Sequence, residues 1–117
     1  MTLILVAAGG ALGASLRYLT FLLVAFPFGT LTVNVVGSFL MGLAFVALAD
    51  KGMDRMQPLV MTGVLGGFTT FSAFSLDAVR LMQGGQAALA VGYVVGSVVL
   101  SLGAVVLGVY FARGIGL

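Results

Sequence analysis

Four apolar runs, each long enough to cross a bilayer, occupy nearly the whole chain. A membrane-spanning helix needs about 20 apolar residues, and residues 3–26, 29–49, 58–82 and 87–112 meet that length. The first run is interrupted only by Arg17, and the second carries no charge. A polar segment, DKGMDRMQ at 50–57, precedes Pro58; the fixed φ and missing N–H of proline suit the first turn of a third helix. The links at Pro27 and Phe28 and at QGGQ are short, so sequential helices are expected to run antiparallel. Of 117 residues, 62% are apolar and 7% charged, against about 25% charged in soluble domains. The chain therefore reads as an all-α membrane protein, one four-helix transmembrane domain over residues 1–117. The first apolar run has no basic n-region and resumes after Arg17, so it is expected to stay as the first span and not to be cleaved.

Composition also excludes whole classes of chemistry. There is no His and no Cys, which removes imidazole bases, thiolate nucleophiles, disulfides and ordinary zinc sites. Five basic residues scattered along the chain form no patch able to neutralise a run of phosphates, so nucleic acid is not a partner. With four spans, Lys51, Arg55 and Arg113 fall on one side, and Arg80 with Arg17 on the other. That balance gives the positive-inside rule almost no bias and permits insertion in both orientations.

Small residues recur at four-residue spacing on three spans: Gly9 and Gly13, Gly63 and Gly67, Gly92 and Gly96. This spacing lets helix backbones approach closely. Polar residues repeat at the same interval. Thr30, Asn34 and Ser38 form a stripe on the second span; Tyr93, Ser97 and Ser101 form one on the fourth. Such hydroxyls either bond back to their own helix carbonyls or point together into a polar pathway. Arg17, deep in its span, costs at least about 2.5 kcal/mol if left unpaired. It is either a structural group bonded to carbonyls or a charge that attracts an anion, and both roles are compatible. Asp77 and Arg80, three apart, are expected to pair.

The third span contains GVLGGFTTFSAFSLD at 63–77. Paired glycines followed by paired threonines are poor helix material, so a break is expected within residues 66–70. Non-helical backbone at this depth must be buried in protein or line a cavity, and its freed carbonyls suit a small hard cation. Phe71 and Phe74, three apart, face the same way.

The segments GGALGASLRY (9–18), GTLTVNVVGSF (29–39) and GGFTTFSAFS (66–75) resemble, in order, the signature segments of the Fluc fluoride channel family, also called CrcB. The resemblance covers essentially the whole chain. It implies an antiparallel, dual-topology homodimer of four-helix subunits in the cell inner membrane, with two pores per dimer that pass fluoride out of the cytoplasm. It further implies a structural Na+ at the dimer centre, held by the backbone carbonyls of Gly66 and Thr69 from both subunits. The family's pore residues correspond to Asn34, Phe71, Phe74, Tyr93, Ser97 and Ser101, and its vestibule or structural residues to Arg17 and Thr30. Two departures stand out: Ala73 replaces the usual Thr, and Asp77 the usual Glu.

Fluoride holds its water tightly, so a pore must replace that shell with donors weak enough to release the ion. Asn34, Ser97 and Ser101 supply neutral donors, and the rims of Phe71 and Phe74 carry partial positive charge. A charged ligand in low dielectric would hold the anion too firmly, which argues for Arg17 outside the pore. Two other readings compete. A small multidrug exporter needs a carboxylate deep in the membrane, and the first two spans have none. A purely structural membrane subunit would explain the glycine faces but not the polar stripes or the break.

Overall fold

The computed structural model describes residues 1–49 and 54–117. Lys51, used in the charge count, and the start of the polar segment at 50–57 lie outside the described residues. Everything regular among the described residues is helical: α1 (Thr2–Leu23), α2 (Phe28–Ala49), a 3-10 turn (Asp54–Met56), a π-helical stretch (Pro58–Leu65), α3 (Gly66–Phe68), α4 (Phe71–Gln83) and α5 (Ala87–Gly114). Four stretches are long and apolar enough to cross a membrane: α1, α2, the compound third span Asp54–Gln83, and α5. Pro58 stands at the start of the π-helical stretch, where its missing N–H removes no helical hydrogen bond.

Short links reverse the chain direction without choosing the packing partners. The α1 helix lies mainly on the first half of the third span, while α2 lies mainly on α5. Glycine decides both contacts. A Cβ added at Gly9 would sit 2.9 Å from the Cα of Gly63, and one at Gly67 would sit 2.8 Å from the Gly10 carbonyl oxygen. The four-residue glycine spacing thus brings α1 and the third span into backbone contact, as the sequence suggests. On the fourth span the same spacing makes no such contact within the subunit. Gly92 and Gly96 have nothing within 4 Å, and α5 instead approaches α2 through Gly108, whose Cα lies 3.0 Å from a Cβ built on Gly42.

The third span breaks inside the expected window, but at its threonines. Gly66 keeps helical dihedrals of −63° and −37°. Thr69 (φ −83°, ψ 157°) and Thr70 (φ −153°, ψ 125°) are extended. The glycines therefore serve close packing against α1, and the opening of the helix falls on the β-branched pair, which tolerates extended backbone well. Helix resumes at Phe71, where the Thr70 hydroxyl caps α4 by accepting from the Ala73 amide at 3.2 Å, as N-cap threonines do. Beyond the break, Phe74 and Leu81 of α4 pack with Ala90 and Tyr93 of α5.

Candidate functional site

The break faces a groove of about 420 Å³ between α2 and α5. Asn34, Ser38, Phe71, Phe74, Ser97 and Ser101 all line it, together with both threonines of the break, and no charged side chain among the described residues does. Two helical stripes and one pair of rings, separated widely in sequence, thus converge on one concavity. Gly37 makes the approach possible: a Cβ there would run into the Thr69 methyl and lie 3.2 Å from the Phe68 ring.

Asn34 is tied to the break by a two-point clamp. The Thr70 amide donates to Asn34 Oδ1 at 2.8 Å, and Asn34 Nδ2 donates to the Thr70 carbonyl at 2.9 Å. The clamp fixes which end of the side-chain amide carries nitrogen. Since Nδ2 has two N–H groups, one remains for the groove.

The hydroxyls divide into two classes. Ser15, Thr20, Thr32, Thr69 and Ser75 bond back to the carbonyl four residues earlier, the functionally silent arrangement of membrane helices. The stripe residues do otherwise. Ser38 and Ser101 have no hydrogen-bond partner among the described residues, and Ser97, only 4% exposed, holds its Oγ buried and unpartnered. A buried hydroxyl without a partner costs about 1–3 kcal/mol, so the position is not explained by folding alone.

Phe74 is buried, whereas Phe71 is 76% exposed and forms an open rim. Their ring centroids lie 5.3 Å apart. Tyr93 does not line the groove; its ring stands 5.5 Å from Phe74, and its hydroxyl donates to Asp77 Oδ2 at 3.2 Å. Thr30 donates to the same oxygen at 2.6 Å. The expected Asp77–Arg80 pair is therefore absent: Asp77 turns inward, 6% exposed, and Arg80 on the outside has no partner among the described residues. Two buried hydroxyls satisfy the carboxyl better than an exposed arginine, whose pairing would be weakened by solvent. Thr30 and Asp77 line a second cavity of about 230 Å³ near the α1–α2 link. Ala73 also faces this cavity and not the groove.

Residues 4–109 match the family described as CrcB-like protein, Camphor Resistance (CrcB). The chain belongs to the CrcB family. A relative from Cereibacter sphaeroides, named Fluoride-specific ion channel FluC, is 59% identical over 97% of this chain and 95% of its own length. Relatives of the same name from Paracoccus denitrificans and Rhizobium meliloti are 50% and 49% identical, covering at least 95% of both chains in each pair. This CrcB chain is thus a multi-pass membrane protein with four membrane-spanning helices.

For a cation, this CrcB chain offers backbone oxygens. No group of three or more carboxylate, His or Cys side chains exists among the described residues. At the break, the Thr70 amide that would bond the Gly66 carbonyl in a continuous helix goes to Asn34 instead. The Ala73 amide that would bond the Thr69 carbonyl goes to the Thr70 hydroxyl. Both oxygens are therefore freed from their helical donors, and neutral carbonyl oxygens are ligands of the hardness that a small cation takes. Arg17 approaches one of them, with Nη1 3.4 Å from the Thr69 carbonyl oxygen. A carbonyl has two lone pairs, so the contact leaves one direction open. Arg17 thus meets a carbonyl where the span is broken.

Gly37, the Asn34–Thr70 clamp and the inward turn of Asp77 complete the picture beyond what the sequence shows. Ser38 was already visible as the third member of its stripe. Gly37 and the Asn34–Thr70 clamp carry no sequence signal of their own, because both depend on where the break meets α2.

Proposed function

We propose that the chain is a fluoride channel and not an enzyme, passing the ion passively along the groove between α2 and α5. The observation that carries this reading is the buried, unpartnered Ser97 hydroxyl in a groove lined by neutral donors and aromatic rings. Names of the relatives point the same way. Fluoride leaving water loses strong hydrogen bonds, and the second Asn34 N–H with the Ser97 and Ser101 hydroxyls replaces them in steps. The edges of Phe71 and Phe74 add weak positive potential at the break. With no cation among the described residues of the lining, the ion meets no site there strong enough to trap it.

The open side of the groove and the exposed Phe71 ring support assembly with a second copy. The reading is an antiparallel homodimer in the inner membrane with two pores, each completed by the partner. An apolar ring 76% exposed at the level of the break gains a protein contact on pairing. In this arrangement the Gly66 and Thr69 carbonyls of the two copies would hold a Na+ between them, linking the breaks electrostatically. Arg17, beside Thr69, limits how much cationic charge that centre accommodates.

A buried carboxyl, Asp77, is a feature that a proton-coupled exporter would also have. It lines the second cavity, however, and both donors near it are spent on one of its oxygens.

The test is reconstitution in liposomes with a potassium shunt, comparing fluoride with chloride efflux. Fast fluoride and negligible chloride efflux are expected; equal or absent rates would end the proposal. Phe71→Ile and Phe74→Ile are expected to suppress flux while the elution volume of the protein stays unchanged.

A further inference from the structure

We propose that the Ser38 hydroxyl is a further fluoride-binding group, one that takes the ion on the opposite side of the break from Ser97. The inference rests on the fluoride-channel reading and assigns a role to a groove residue which that reading leaves unused. Ser38 lines the groove together with Asn34, Ser97 and Ser101. It is half-buried, and its Oγ has no hydrogen-bond partner among the described residues. A serine in a membrane helix can always turn to the carbonyl one turn back, and Thr32 on this same helix does so, donating to the Phe28 carbonyl at 2.7 Å. Ser38 does not, so its O–H stays available to whatever occupies the groove.

Two fixed points give the order of the donors along the groove. Thr30 of α2 and Tyr93 of α5 donate to the same Asp77 oxygen. Further along both helices, the Cα of Gly108 lies 3.0 Å from a Cβ built on Gly42. Residue numbers rise together between these points, so α2 and α5 run in the same direction, and levels can be counted back from the Gly42–Gly108 contact. Ser97 stands eleven residues before it, Asn34 eight, Ser101 seven and Ser38 four. At 1.5 Å of rise per residue, Ser97 lies about 4.5 Å before Asn34, and Ser38 about 4.5 Å beyond Ser101. The donors therefore occupy three levels separated by about 5 Å, with the Asn34–Thr70 clamp at the middle one.

That spacing matters for an ion that is costly to strip of water. Without Ser38 the donors would end at the level of the clamp, and beyond it the groove offers Met41 and Val105, neither of which has a side-chain hydrogen to donate. Fluoride held by Asn34 and Ser101 would then have to leave both for an apolar wall in a single step. Ser38 supplies a neutral donor one step further on, the weak successive binding that lets an ion leave as readily as it enters.

The test compares fluoride efflux from liposomes carrying wild type, Ser38→Ala, Ser38→Thr or Thr32→Ala. Ser38→Ala is expected to lower efflux about tenfold, the scale of one hydrogen bond to a charged group. Its unfolding in detergent should be unchanged, because the hydroxyl has no protein contact to lose. Ser38→Thr keeps the O–H and should recover efflux to within about threefold of wild type, while Thr32→Ala, whose hydroxyl serves its own helix, should stay within about twofold. Wild-type efflux from Ser38→Ala, or equal losses in Ser38→Ala and Thr32→Ala, would overturn the assignment. If wild-type protein passes no fluoride, the channel reading falls with it; if wild type conducts and Ser38→Ala matches it, the role of Ser38 alone is lost.

Discussion

Replacing Asn34 by aspartate keeps the shape of the clamp and reverses one of its atoms. The Thr70 amide, now 2.8 Å from Oδ1, still finds an acceptor. The oxygen that takes the place of Nδ2 would face the Thr70 carbonyl oxygen from 2.9 Å, acceptor against acceptor. The lost bond costs about 1 kcal/mol net and the misplaced charged acceptor about 1–3 more, so the clamp weakens by about 2–4 kcal/mol. The effect on the ion is of similar or greater size. A carboxylate about 4 Å from fluoride repels it by about 4 kcal/mol at an effective dielectric constant near 20, or about a thousandfold in occupancy. Asn34→Ala removes both hydrogen bonds, about 2 kcal/mol, and adds no charge. Fluoride efflux from liposomes is therefore expected to fall more than about a hundredfold for Asn34→Asp and about thirtyfold for Asn34→Ala. Efflux from the aspartate variant within about threefold of wild type would refute the reasoning. So would an alanine variant impaired as severely as the aspartate one, since charge would then contribute nothing.

Three further outcomes follow from particular contacts. Ser97→Ala removes a hydroxyl with no protein partner, so unfolding in detergent should show stability unchanged or raised by up to about 1–3 kcal/mol, while fluoride efflux falls. Gly42→Ala drives a methyl to 2.8 Å from the Val109 amide nitrogen and should destabilise by about 1–3 kcal/mol; Gly103→Ala, with nothing within 4 Å, should leave the subunit's unfolding temperature unchanged or higher. Thr30→Val removes the 2.6 Å bond to Asp77 and should cost about 1.5–3 kcal/mol, with Thr30→Ser recovering most of it in the same measurement.

The four spans and both polar stripes were legible because bilayer thickness and helical period act on the sequence directly. Asn34, Ser97 and Ser101 meet in one groove as their spacing suggests, and the break lies within five residues that local propensity marks as weak helix. Where propensity and packing compete, the sequence is ambiguous. Gly66 and Gly67 read as helix breakers, yet the third span stays helical through them because α1 covers the second with its own backbone. The same limit applies to α5, where Gly92, Gly96 and Gly108 are equivalent on paper. The register against α2 selects Gly108, and that register is set by Gly42 on a helix that is distant in sequence. Asp77 shows the converse, since a favourable local pair with Arg80 yields to two buried hydroxyls brought in from α2 and α5.

The opening at Thr69 and Thr70 draws its replacement hydrogen bonds from elsewhere: Asn34 reaches it from α2 and Arg17 from α1. Three of the four spans are consequently pinned to one another at a single depth. Lengthening or shortening the chain near its polar ends shifts only the connections, but a one-residue insertion in any of these three helices on the near side of that depth would throw the stitching out of step. The protein's tolerance for insertions and deletions is therefore predicted by distance from one plane, with the least freedom where the backbone itself is least regular.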